Sequence, residues 1–148
     1  MKVVLDTNVL ISGFKDEYSY QKRIIDEIIA GRVSAFANRQ TLRENHFILN
    51  KLVEDFGYKK ELQDFFAQVI PVDNKRQIRL AADPEDSKIL ESAVEAKADY
   101  LITEDRALLD ENPFKGVKIV QPIEFWSIYE EEQGNDQWQK WIKYVSSK

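Results

Sequence analysis

MKVVLDTNVL, residues 1–10, runs a short apolar stretch, Val3, Val4 and Leu5, straight into Asp6, Thr7 and Asn8. Three apolar residues without polar alternation read as a strand buried on both faces. Such a strand belongs in a sheet covered by helices on either side. An acid at its end is expensive to bury unless something binds there. The decisive question is therefore what lies beyond the carboxyl end of this strand.

Outward from it, strands and helices alternate. Residues 18–31 read as a helix with Ile24, Ile25, Ile28 and Ile29 on one face and Gly31 as its stop. Residues 33–37 (VSAFA) read as a second strand. From 39 to 56, Leu49, Leu52, Val53 and Phe56 follow helical spacing, Gly57 breaks the pattern, and 59–68 starts another helix. VIPV (69–72) is a short strand, whose proline suits a strand end or a sheet edge. Residues 83–98 form the clearest helix, with Asp83 as N-cap and Pro84 at the first helical position. Strand 99–103, a short helix over 104–110, strand 117–120 and helix 122–131 complete the alternation. The pattern predicts a three-layer α/β/α domain with about five strands in a mainly parallel sheet.

The tail reads differently. Residues 1–129 form the domain, and 130–137 (EEEQGNDQ) read as a polar link. Trp138, Trp141, Ile142 and Val145 then mark a short amphipathic C-terminal helix. It either docks on its own domain or meets a partner, where tryptophan is favoured.

Composition narrows the function classes. Of 148 residues, 43% are hydrophobic and 32% charged, ordinary for a globular chain with one good core. Cysteine is absent, which excludes disulfides, thiol nucleophiles and zinc–thiolate sites. It also fits a reducing cytoplasm. No basic region followed by a long apolar run opens the chain, and no stretch has the length of a membrane span, so neither a signal peptide nor a membrane is expected. The net charge of −5 and a pI near 5.0 argue against a sequence-specific duplex-DNA binder. They leave room for an enzyme that grips nucleic acid through a cation.

In an open parallel sheet, ligands bind beyond the carboxyl ends of the strands. Asp6 follows the first strand directly and Asp105 follows the fourth by two residues. Glu44, in the helix over 39–56, and Asp86, in the first turn of the helix over 83–98, are the other acids of interest. Carboxylates within about 4 Å of each other repel by roughly 4 kcal/mol at an effective dielectric near 20, so a cluster persists by taking up protons or binding a cation. Mg²⁺ and Mn²⁺ suit oxygen ligands and keep waters, whereas a single His and no Cys argue against zinc. Each acid also has a plainer reading. Asp6 can cap a helix starting near Asn8, Asp83 and Asp86 suit an N-terminal capping pair, Asp105 can cap after Thr103, and Glu44 can be a solvated charge.

The stretches LDTNVLIS (5–12), NRQTLRENHFIL (38–49), DPEDSKILESAVEAKADYLITEDRALL (83–109) and VQPIEFW (120–126) resemble the motifs of the PIN-domain family. They are most similar to its toxin-like, VapC-related members. The resemblance covers about residues 2–127, and its long T-x-D-terminated motif is the most specific part. It implies a Mg²⁺- or Mn²⁺-dependent endoribonuclease that leaves a 5′-phosphate and a 3′-OH. Asp6, Asp86 and Asp105 match the metal-binding acids. Glu44 matches the helical acid, a further ligand or water-positioning group. Thr103 and Asn8 match supporting positions, and Asp83 is a further supporting acid. The resemblance also implies an RNA substrate, an antitoxin protein as partner, a homodimer and a cytoplasmic site of action.

Two rivals stand beside this reading. One is a PIN module that holds RNA or protein without cutting it. The other is a phosphotransferase with Asp6 as covalent nucleophile, which expects a second Asp where Asn8 stands. Arg106 could contact phosphate. His46, two residues after Glu44, points to another helix face and is a poor general base. Lys51, Lys59, Lys60, Lys75, Arg76 and Arg79 are either a solvated surface or a basic rim for RNA.

Overall fold

A computed structural model describes residues 1–56, 59–74 and 84–147, with side chains described outside 53–56. Asp83, Lys75, Arg76 and Arg79, and the side chains of Val53 and Phe56, lie outside the described residues.

Five strands form one sheet: β1 (Lys2–Leu5), β2 (Ser34–Asn38), β3 (Ile70–Val72), β4 (Tyr100–Ile102) and β5 (Lys118–Val120). Their order is β3-β2-β1-β4-β5 and every pairing is parallel. The expected α/β fold is therefore present, with β1 at the centre and the proline-bearing β3 at an edge. Period-2 alternation divides the core. Val3, Leu5, Tyr100 and Ile102 face one layer, while Val4 and Leu101 face the other. This is why β1 carries no polar alternation: both its faces are covered.

The helices are α1 (Thr7–Lys15), α2 (Tyr20–Ile29), α3 (Arg39–Phe56), α4 (Lys59–Gln68), α5 (Pro84–Glu95), α6 (Arg106–Leu109) and α7 (Pro122–Ser146). Ser19 caps α2 by accepting from the Lys22 N–H, and Gly31 follows its end at φ +79°, a left-handed turn that glycine adopts without strain. No helix among the described residues is long and apolar enough to cross a membrane.

Gly13 lets α1 pack directly on α2. A methyl there would run into Ile25 Cδ1 and come within 3.2 Å of the backbone at Gln21 and Lys22. Ile25 is itself fully buried, so it has no open space to swing into. Gly13→Ala is expected to destabilise the fold by about 1–3 kcal/mol, a Tm loss of roughly 3–10 °C. An unchanged melting curve would show that the α1–α2 contact has slack.

The tail departs from the sequence reading. The expected polar link at 130–137 is absent: α7 runs unbroken from Pro122 to Ser146. Glu130, Glu131, Glu132 and Gln133 are good helix formers, and one glycine, Gly134, costs only about 1 kcal/mol. Phe125 and Tyr129 dock the first half of α7 on the domain. At 3.6 residues per turn, Trp138, Trp141, Ile142 and Val145 lie on roughly the opposite side of the helix. They are accordingly exposed, Trp138 by 58%, and the two indoles stack at 5.1 Å.

Candidate metal and phosphodiester site

The site starts from strand register. β1 and β4 are parallel neighbours with Leu5 opposite Ile102. The next residue on each, Asp6 and Thr103, therefore emerges side by side at the carboxyl edge of the sheet. The Asp6 N–H donates to the Ile102 carbonyl at 3.0 Å, and the Thr103 N–H to Val120 at 3.0 Å, extending both ladders by one step.

Thr103 is completely buried. Its hydroxyl donates to Asp6 Oδ2 at 2.9 Å and accepts from the Asp105 N–H at 3.0 Å. One side chain thus fixes the Asp6 carboxyl and the backbone of Asp105. Asp105 in turn caps α6, its Oδ1 accepting from the Ala107 N–H at 3.0 Å. Its plainer role as a cap is real, and it uses one carboxylate oxygen.

Asp6 is different. It occupies the N-cap position of α1 but makes no side-chain cap hydrogen bond. Burial pushes its pKa above the usual carboxylate value. The Thr103 hydroxyl opposes this, as do the nearby backbone N–H groups of Thr7 and Asn8, while the charge of Asp105 adds to the rise. Among the described residues neither acid forms an ion pair. A desolvated carboxylate beside a second one, without a protein cation, is the donor set a hard divalent ion fits.

The other expected site residues stand apart from this pair. Asp86 is half-buried in the first turn of α5. Glu44 is exposed on α3, where its Oε1 accepts from Gln40 at 3.3 Å. Among the described residues no three acids gather closely enough to hold a metal ion together. Asn8 is exposed on α1, and Arg106 is exposed on α6. His46 stacks on Phe66 at 3.7 Å.

One structural support was missed. Asn45 is buried, 2% exposed, and its Oδ1 accepts from the Thr7 hydroxyl at 2.9 Å. It ties the second turn of α3 to the turn that carries Asp6. A sequence signal exists: Asn45 shares the buried stripe of Leu49 and Leu52 at i+4 and i+7, where a polar residue is out of place.

Comparison with known proteins gives one family. A family model described as "PIN domain" matches residues 2–107. The chain is also similar to an uncharacterized protein of Methanocaldococcus jannaschii, 28% identical over 144 residues, covering 88% of this chain and 92% of that one. No solved structure gives a match.

Proposed function

The chain belongs to the PIN-domain family, whose members are generally nucleases, and from that premise we propose that it is a divalent-metal-dependent endoribonuclease. The observation that carries the reading is the Asp6–Thr103–Asp105 arrangement at the carboxyl edge of the sheet. Asp6 is not spent on capping, is half-buried, and lies close enough to Asp105 to feel its charge.

Asp6 and Asp105 would hold Mg²⁺ or Mn²⁺, with Asp86 as a further acid and waters filling the remaining positions. When bound, the ion supplies Lewis-acid stabilisation of charge developing on the phosphodiester. The protein's own part is preorganisation. Thr103 holds Asp6 in one orientation and sets the backbone from which Asp105 projects. Asn45 braces the turn at Thr7. Glu44, on α3, is assigned to position the attacking water, whose proton passes to solvent. The water oxygen bonds to phosphorus, the P–O3′ bond breaks, and the 3′ oxygen leaves as a hydroxyl after taking a proton. The products are a 5′-phosphate and a 3′-OH.

We assign the chain to the toxin side of a toxin–antitoxin pair, acting in the cytoplasm as a homodimer. Support comes from the motif resemblance and, for a protein contact, from the exposed Trp138 and Trp141 stripe. A second reading, a silent RNA- or protein-binding module, draws on the absence of a three-acid group among the described residues.

Cleavage of a structured RNA, with end-group analysis, separates the two. Activity is expected with Mn²⁺ or Mg²⁺, to vanish with EDTA, and to return when the ion is restored in excess. RNA binding without cleavage at any metal concentration would establish the silent module instead.

A further inference from the structure

Next to the acid pair lies a polar cleft of about 260 Å³ beyond the carboxyl ends of β2 and β3. We propose that this cleft, whose polar lining is Asn38, Arg39, Gln40, Asp73, Asn74, Lys88 and Glu91, is a subsite for a single nucleotide of the RNA flanking the cleaved bond. Arg39 and Lys88 hold its phosphate, and the exposed amide of Gln40, whose Oε1 is released when Lys88 turns to the phosphate, meets the edge of its base. The identity of this ligand rests on the ribonuclease reading.

Position is the first argument. β2 is the neighbour of β1 and β3 lies one strand further, so at 4.7–4.9 Å per strand the cleft lies on the order of 5–10 Å along the same edge from Asp6. A strand of nucleic acid passing the acids along that edge enters the cleft. It is also linked to Glu44. Lys88 Nζ donates to Gln40 Oε1 at 3.2 Å, and Gln40 Nε2 donates to Glu44 Oε1 at 3.3 Å.

The floor is tied together by hydrogen bonds. Asn38 is buried at the end of β2, where its Oδ1 caps α3 through the Thr41 N–H at 2.7 Å. Its Nδ2 donates to the buried Ser92 hydroxyl at 3.2 Å, which itself bonds Asn74 Oδ1 at 3.2 Å and the Lys88 carbonyl at 3.0 Å. Asn74 Nδ2 reaches the Lys88 carbonyl and Glu91 Oε2, each at 3.3 Å. Three elements, β2, the end of β3 and α5, are joined by this network. A preorganised polar floor costs little to order when a ligand arrives.

The rim is exchangeable. Arg39 Nε pairs with Asp73 at 3.1 Å, both exposed, and the half-buried Lys88 pairs with the exposed Glu85 at 3.6 Å. Exposed pairs contribute little, so a phosphate can displace an acid as partner and gain charge-assisted bonds. Side-chain amides offer both donors and acceptors to a splayed base, as single-stranded RNA presents. The size suits one nucleotide; pockets for drug-sized ligands begin near 300 Å³.

The test uses the full-length chain in two arms. In the Asp6→Asn variant, which binds without cutting, UMP, AMP and inorganic phosphate are titrated while backbone amide NMR signals are followed. UMP or AMP is expected to shift Gln40, Asn74 and Lys88 more strongly than phosphate does. Equal shifts with phosphate alone, or no shifts, overturn the nucleotide subsite. In the second arm, Arg39→Ala and Lys88→Ala are each expected to raise KM for RNA about tenfold with kcat within twofold. Each should also lower the slope of log affinity against log salt by about 0.7. Arg39 is exposed, so its removal leaves the fold intact. Unchanged KM and salt slope in an enzyme that cleaves RNA would refute the subsite. Nucleotide binding in the cleft of a chain that never cleaves would retain the subsite and remove the ribonuclease reading.

Discussion

Asp6→Asn lowers the rate of RNA cleavage by about 100–1,000-fold, the scale of removing one preorganised electrostatic group, and raises Tm at neutral pH in EDTA. The two effects have one cause. Burial raises the Asp6 pKa and Asp105 raises it further, so the folded chain holds a proton on Asp6 to higher pH than the unfolded chain does. Stability from this group is fully present below the unfolded carboxylate pKa, about 3.9, and is lost as pH rises through the folded value. At neutral pH Asp6 is therefore a net cost in the absence of a cation. The replacing amide keeps an oxygen for the Thr103 hydroxyl and carries no charge. The stability difference should close as pH falls below about 4 and reverse when Mn²⁺ binds the wild-type site alone. Melting curves at several pH values with EDTA check this. A variant with lower Tm at neutral pH in EDTA would contradict the account.

Thr103→Val costs about 1–3 kcal/mol and lowers activity about 10–100-fold. The shape is nearly kept, yet the Asp105 N–H loses its acceptor and Asp6 Oδ2 its donor beside a fully buried side chain. Losing that donor removes a hydrogen bond that holds the Asp6 pKa down, so the acidic limb of the kcat/KM profile should move to higher pH. Thr103→Ser keeps the hydroxyl and should restore both the profile and most of the activity. A loss of activity with an unmoved acidic limb would make Thr103 a packing residue only.

The fold was largely readable because its elements carry local signals. The run through Val3, Val4 and Leu5, the isoleucine stripe of α2 and Pro84 at the start of α5 each depend on neighbours in sequence. The Asp6–Thr103 contact was partly readable, since both residues follow strand ends, but their meeting depends on the Leu5–Ile102 register, which no local pattern states. Glu44 and Asp86 depend on how α3 and α5 seat against the sheet, and the structure leaves them outside a three-acid group among the described residues. The tail misled for a local reason: EEEQGNDQ is polar and reads as a link, yet its glutamates and glutamines favour helix. The cleft beside Arg39 and Lys88 was invisible because its lining residues come from β2, α3, α5 and the end of β3.

The central claim is that Asp6 and Asp105 together hold a divalent cation. A crystal of the wild-type chain soaked in Mn²⁺, with anomalous scattering collected at the manganese edge, tests it directly. The account predicts a peak bonded to carboxylate oxygens of Asp6 and Asp105, lost in Asp6→Asn. Manganese bound elsewhere, or a peak that survives Asp6→Asn, would contradict it.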